Sequence, residues 1–285
     1  MEINNIAVAG AGIMGSGIAQ VAAQSGFSTT MHDVEDRFIQ RGLDSIEASL
    51  QRLIRSGNLT PELADAATSR IRTSTDLEDA CRGADIVIEA VPEDLELKKR
   101  VFCDMDALCP SHTILASNTS QFSITAIASA TKRARKVVGT HWFNPPVIMR
   151  LIEIVRGLET SDETLAVVRE LAQRLGKETV VCRDVPGFIT TRATLALRIE
   201  CYRMLEEGLA SKEDIDKAIR LGLNHPMGPF ELGDFVGHDT SYRGLTSLAE
   251  AHGDRFRPTP MLRNLVDAGH LGRKSGKGWY DYADK

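Results

Sequence analysis

Long apolar runs are absent from this chain. No stretch approaches the ~20 apolar residues that a membrane-spanning helix requires, so no membrane partner is expected. Cysteine is sparse: Cys81, Cys103, Cys109, Cys182 and Cys201 are odd in number, scattered, and never spaced C-x-x-C. That argues against structural zinc and predicts a reducing compartment, with the thiols filling core and helix positions. An excess of positive charge is missing too. With 34 Lys and Arg against 39 Asp and Glu the net charge is −5, so no global basic field attracts nucleic acid or an anionic membrane. Any polyanionic ligand must be held by a local cluster of donors. Flexible linkers, low-complexity segments and fixed-period repeats are absent as well. The first apolar run begins at Ile6, which leaves no room for a signal or transit peptide, and the expected location is the cytoplasm. What remains is ordinary globular material: 285 residues, 42% hydrophobic and 26% charged, enough for one large or two medium domains with a buried core.

The informative stretch is near the beginning. Ile6, Ala7, Val8 and Ala9 form a short β-favouring run that reads directly into Gly10, Gly12 and Gly15 at G-x-G-x-x-G spacing, with an apparent helix over 16–23 behind them. Strand, tight turn and helix in that order turn a weak glycine pattern into a dinucleotide site. Gly10 permits the turn, Gly12 a bare backbone against a pyrophosphate, and Gly15 close packing of helix on strand; Ile13 and Met14 belong to the same cofactor-binding turn. The next strand, 28–32, ends at Asp33, near the ~20-residue offset of an acid that holds the adenosine ribose hydroxyls. An acid there repels a 2′-phosphate, which selects NAD over NADP; Arg37 is a mild counter-signal.

Residues 35–71 are polar and helix-forming, broken at 57–61, where Thr60 followed by Pro61 reads as an N-cap with proline in the first turn. Two antiparallel helices inserted between strands are longer than a crossover needs and point to binding or packing. Further strands read at 84–91, 113–116, 136–141, 151–155 and around Val180, with helices over 95–108 and 163–175. The expected fold class is α/β: a Rossmann-type, doubly wound, mostly parallel sheet with a helical hairpin insertion over residues 1–185. From Pro186 the β-branched runs stop. A long helix through Leu195, Ile199, Leu205 and Leu209, a capped helix after Ser211, and short helices through Phe235, Leu248 and Leu265 predict an all-α domain over 186–285.

Ligands of doubly wound sheets lie beyond the carboxyl ends of the strands. There the chain places Glu89 to Glu93, Ser117 to Ser120, and His141 beside an Asn144-Pro145-Pro146 turn. His141 is either structural or a catalytic base. Glu153 is the one charge in the apolar strand 151–155, and it is either an edge-strand ion pair or, if the proline turn returns the chain, the partner of His141. Ser120 suits the reacting oxygen and Asn118 the cofactor, or both serve turn chemistry. Glu93 and Lys98 read as a solvated pair or as cofactor-facing groups, the solvated pair being the usual outcome.

Several of these segments together carry a family resemblance. The Gly10 to Gln20 stretch, Ser117-Asn118-Thr119-Ser120, His141-Trp142-Phe143-Asn144-Pro145, Pro186-Gly187-Phe188-Ile189, Asn224 to Pro229 and Gly272 to Tyr280 resemble, in order, the motifs of the L-3-hydroxyacyl-CoA dehydrogenases, a family that includes the bacterial 3-hydroxybutyryl-CoA dehydrogenases. The resemblance implies NAD-dependent interconversion of a short-chain 3-hydroxyacyl-CoA and its 3-keto form. By position it implies His141 as base, Glu153 as its partner and Ser120 at the substrate oxygen. It implies NAD contacts at Gly10, Gly12, Gly15, Asp33, Glu93, Lys98, Asn118, Ser120, Asn144 and Lys274, and a coenzyme A contact at Ser49. Arg52 and Arg55 add phosphate-binding charge or are plain solvated helix residues. It also implies a homodimer through the helical domain, and no metal. One departure stands out: the family continues Pro186-Gly187-Phe188-Ile189 with Val-Asn-Arg, whereas this chain has Thr190-Thr191-Arg192, so Thr191 occupies the active-site asparagine position. Two rivals remain, a dehydrogenase of a free or sugar-derived 3-hydroxy acid and a non-catalytic NAD-binding relative.

Overall fold

The glycine turn takes the shape its spacing predicts. The computed structural model describes residues 1–282. In it β1 (Asn5–Ala9) runs into Gly10, whose φ of +109° only glycine adopts without strain. The helix that follows, α1 (Ile13–Gln24), starts three residues earlier than expected, inside the motif, because Gly12 serves as its N-cap. A Cβ on Gly15 would lie 1.8 Å from the Gly10 carbonyl oxygen, so this glycine is what lets helix and strand pack.

The chain continues through β2 (Ser28–His32), α2 (Asp36–Arg55) and α3 (Pro61–Ser69). Thr60 caps α3, its hydroxyl accepting from Leu63 N, with Pro61 in the first turn as expected. Two elements here were not anticipated, β3 (Ile71–Ser74) and α4 (Leu77–Cys81). β3 is short and none of its side chains is fully buried, so it lacks an apolar signature. Then follow β4 (Ile86–Glu89), α5 (Leu95–Leu108), β5 (Ile114–Ser117), α6 (Ile124–Ala128), β6 (Val137–Trp142), β7 (Leu151–Arg156), α7 (Asp162–Arg174) and β8 (Glu178–Arg183).

These strands form one eight-stranded sheet in the order β3-β2-β1-β4-β5-β6-β7-β8. Every neighbouring pair is parallel except β6 and β7, which run antiparallel. The order reverses between β1 and β4, which opens the crevice where doubly wound sheets take their ligands. Ile6, Val8, Ile86, Ile88, Leu115 and Val138 are essentially inaccessible, as strands covered on both faces demand.

The chain divides into two compact units, the first ending at Val185 and the second beginning at Pro186. The second unit is helical: α8 (Thr190–Glu206), α9 (Lys212–Gly222), α10 (Pro229–Val236), α11 (His238–His252) and α12 (Pro260–Asp267). The helix α8 ends before Leu209, which is 69% exposed rather than part of the apolar stripe. Ser211 caps α9 by accepting from Asp214 N, and α11, at 15 residues, is longer than expected. Tyr202, Phe230 and Trp279 pack with ring centroids 5.0–5.1 Å apart, closing the chain's last turn onto α8 and α10. Among the described residues, no helix is long and apolar enough to cross a membrane.

Candidate active site

A cavity of about 1090 Å³ opens at the carboxyl ends of β1, β2 and β4, lined among others by Gly10, Gly12, Ile13, Met14 and Asp33. Its floor suits a dinucleotide. A Cβ on Gly12 would meet nothing within 4 Å, so the space over the turn is open to a phosphate. The α1 N-terminus has neither a side-chain cap nor an acid in its first turn, which leaves its leading N–H groups and the helix dipole to favour an anion. Asp33 is fixed in the rim: one carboxylate oxygen accepts Ala11 N and the other Val34 N, both at 2.8 Å. Burial holds the neighbouring His32 imidazole below the ordinary histidine range. Arg37, the counter-signal to NAD, is spent on Glu35 at 2.8 Å. These residues fit NAD.

Two strands further along the sheet, His141 and Glu153 are register partners on antiparallel β6 and β7. The proline turn does return the chain, and Glu153 Oε2 lies 2.7 Å from His141 Nδ1. Glu153 is 0% exposed and His141 7%. A carboxylate facing Nδ1 places the proton there, which makes Nε2 the ring's accepting nitrogen. Phe143 packs on the imidazole with centroids 4.5 Å apart.

The polar turn after β5 is tied down from three sides. Glu93 Oε1 accepts from Thr119 Oγ1 at 2.6 Å, Ser120 N at 3.0 Å and Ser120 Oγ at 3.4 Å. Asn118 Oδ1 accepts from Trp142 N at 2.9 Å. Lys98 Nζ sits between Glu89 Oε1 at 2.7 Å and Glu93 Oε2 at 3.1 Å. The solvated Glu93–Lys98 pair is therefore not what forms: Lys98 is 1% exposed, because Glu89 at the buried end of β4 offers it a carboxylate inside the protein.

Asn144 is exposed in the loop after β6, and that loop is held by contacts no sequence motif indicated. Pro146 fills the space where a Cβ on Gly17 of α1 would stand, at 2.8 Å. Lys177, buried between α7 and β8, donates to the Pro146 carbonyl at 2.6 Å and the Met149 carbonyl at 2.8 Å; burial holds its ammonium below the usual lysine range. In α2, Ser49 lies on the buried side with Ile46 and Leu50, whereas Arg52 and Arg55 are exposed in the last turn, where cations offset the helix dipole. In the second unit Thr191 is the second residue of α8, half-buried after a turn in which Gly187 and Phe188 both take positive φ. Lys274 pairs with Asp239 at 2.5 Å.

Known proteins resemble the chain over both of its units. Residues 5–185 match the 3-hydroxyacyl-CoA dehydrogenase NAD-binding domain, and residues 187–282 match the C-terminal domain of the same name. The chain is 46% identical to the probable 3-hydroxybutyryl-CoA dehydrogenase of Bacillus subtilis, over 100% of this chain and 99% of that one. It is 45% identical to the protein of the same name from Deinococcus radiodurans, over 96% and 99%. Among solved structures, the (S)-3-hydroxybutyryl-CoA dehydrogenase of Ralstonia eutropha superposes with a TM-score of 0.95 at 41% identity, covering 99% of each chain.

Proposed function

The chain belongs to the 3-hydroxyacyl-CoA dehydrogenase family, and from that membership we propose how its residues share the work of NAD-dependent interconversion of a 3-hydroxyacyl-CoA and its 3-ketoacyl-CoA. The observation that carries the assignment is the 2.7 Å approach of Glu153 Oε2 to His141 Nδ1 at the carboxyl end of the sheet. NAD, when bound, supplies the acceptor for the hydride of the hydroxyl-bearing carbon. Gly10, Gly12 and Gly15, with Ile13 and Met14, cradle its pyrophosphate, and Asp33 takes the adenosine ribose. Glu93, Asn118, Asn144 and Lys274 complete the cofactor contacts, and Lys98, buried between Glu89 and Glu93, holds Glu93 in place for them.

In the oxidising direction His141 Nε2 removes the hydroxyl proton. Glu153, buried and aimed at Nδ1, stabilises the imidazolium that results and keeps the ring in the accepting tautomer. Ser120 donates to the reacting oxygen. In reverse, His141 returns the proton. Ser49, Arg52 and Arg55 form the coenzyme A contact on α2, and the relatives' names favour a short acyl chain, 3-hydroxybutyryl first. Exposed apolar residues of the second unit, Leu209, Leu221, Leu223, Phe235 and Val236, support a homodimer formed through it, and the bacterial relatives favour the cytoplasm.

The test is NADH oxidation measured with acetoacetyl-CoA, longer 3-ketoacyl-CoAs and free 3-keto acids. Acetoacetyl-CoA is expected to be reduced fastest. A rate with acetoacetyl-CoA no greater than the rate without it sinks the acyl-CoA reading, and preference for a free acid replaces it with the hydroxy-acid rival.

A further inference from the structure

We propose that Glu89 is a positioning residue for this reaction: from the end of β4 its carboxylate sets the 117–120 turn and, through it, the aim of the Ser120 hydroxyl. Glu89 is 0% exposed, so it acts through its neighbours. Its Oε1 accepts from Lys98 Nζ at 2.7 Å and Val91 N at 2.8 Å, and its Oε2 from Ser117 Oγ at 2.6 Å.

Two arms leave this carboxylate and meet again. In the first, the Ser117 hydroxyl donates a hydrogen bond to Glu89 Oε2, which leaves a lone pair on its oxygen to accept Thr119 N at 3.2 Å. In the second, Lys98 bridges Glu89 to Glu93, whose Oε1 gathers Thr119 Oγ1, Ser120 N and Ser120 Oγ. Both arms meet at Thr119, and the second also holds Ser120 directly. The loosest contact in the set is Ser120 Oγ to Glu93 at 3.4 Å, so the hydroxyl is the member best able to turn to a substrate while its backbone stays fixed.

The chemistry of the pair agrees with a geometric role. Burying a carboxylate and an ammonium costs more than filling the space with apolar side chains, so the pair contributes little as packing and much as fixed geometry. Burial pushes the Glu89 carboxyl up, and Lys98, Ser117 and the Val91 N–H pull against it, so its charge depends on those partners staying in place. Glutamine keeps the volume of Glu89 but loses the charge that holds Lys98, and its N–H₂ must face either Ser117, whose hydroxyl then has to accept, or the two donors Lys98 and Val91, so at least one arm is weakened.

The proposal rests on the assignment of Ser120 to the substrate oxygen, and a double-mutant cycle separates the two. With acetoacetyl-CoA and NADH, Glu89→Gln is expected to lower kcat about 10- to 100-fold, the scale of a misplaced catalytic group. Ser120→Ala is expected to cost at least as much, and the double variant to fall within about 2-fold of Ser120→Ala alone, since the second change then has nothing left to misplace. Losses that multiply in the double variant, or a Glu89→Gln protein as active as the parent, overturn the role of Glu89 and leave Ser120 standing. Ser120→Ala with parental activity removes both. Should Glu89→Gln fail to fold, Ser117→Ala breaks the first arm alone; its smaller loss of kcat must vanish in the Ser120→Ala background, and a loss that persists there counts against the proposal.

Discussion

Asn118 accepts the backbone N–H of Trp142 through its side-chain oxygen at 2.9 Å, which ties the polar turn after β5 to the residue following His141. With the oxygen engaged there, the Asn118 amide group that can face a ligand is its N–H₂. Glu153 fixes the imidazole from the other strand, so the base and the turn carrying Ser120 are held in one frame.

If His141 is the base, His141→Gln lowers kcat by about 10²- to 10⁴-fold, the range for a positioned acid–base group. NADH binding, followed by fluorescence titration, stays within error of the parent. Glu153→Gln lowers kcat as well, because the ring loses the carboxylate that fixes its tautomer. Retained turnover in His141→Gln rejects the assignment.

Asp33 governs cofactor choice by charge. Its oxygens are anchored by Ala11 and Val34, which fixes its negative charge in the cavity rim, and Arg37, the nearest arginine or lysine in sequence, pairs with Glu35. Asp33→Ser is expected to reduce kcat/KM for NADH about tenfold, the worth of one good hydrogen bond to a charged group, while raising that for NADPH. A ratio of the two that does not move places cofactor selection elsewhere.

The coenzyme A assignment is separable from the chemistry because Arg52 and Arg55 are exposed and far along α2 in sequence from the catalytic pair. Reversing both charges, Arg52→Glu with Arg55→Glu, should raise KM for acetoacetyl-CoA several-fold, as exposed charge pairs worth ~0.5–1 kcal/mol each predict. The effect shrinks in high salt, and KM for NADH is unchanged. An unaltered KM for acetoacetyl-CoA means these arginines only complement the helix dipole.

How much of this was legible in the sequence depends on which signals are local. The glycine cradle and Asp33 could be read because a turn needing positive φ and an acid at a fixed offset leave a mark in the chain. Glu153 could be read because a charge inside an apolar strand demands a partner. The same rule applies equally to Glu89, the last residue of the apolar β4, but its partner carries no distinguishing signal: Lys98 sits nine residues on, in a helix whose other lysine, Lys99, pairs with Glu96 in a partly solvated contact. Lys177 left no mark at all, since its acceptors are the backbone carbonyls of Pro146 and Met149, which any sequence supplies. The 35–71 excursion reads as helical, but β3 leaves no signal, because a short strand with only partly covered side chains shows no alternation.

The family resemblance implies an asparagine at the position of Thr191, whose hydroxyl offers one donor where an amide offers two on a planar group. Thr191→Asn is expected to change kcat for acetoacetyl-CoA about fivefold, roughly one net hydrogen bond, and to shift the preference among longer 3-ketoacyl-CoAs through the changed shape and polarity of the side chain. Kinetics over a chain-length series check it. Identical profiles mean that the position is idle.

The second unit has its own buried charge, and its pH behaviour follows from it. Asp234 is 1% exposed and accepts from His238 Nε2 at 2.6 Å, Trp279 N at 2.8 Å, Tyr280 N at 2.9 Å and Tyr282 OH at 3.0 Å. Burial pushes its carboxyl up, but His238 and these donors outweigh burial and hold it below the usual aspartate range. A carboxyl lowered on folding stabilises the native state above the unfolded pKa of about 4 and loses that contribution as pH falls through the folded value. Asp234→Asn turns an N–H₂ toward some of the four donors and should cost about 3 kcal/mol at pH 7, a drop in Tm on the order of 10 °C. Because the parent's advantage resides in the ionised carboxylate, the gap between the two melting temperatures should narrow from pH 6 to pH 3. Thermal melts across that range decide it: a gap that stays constant would show that Asp234 stabilises the fold by shape and not by charge.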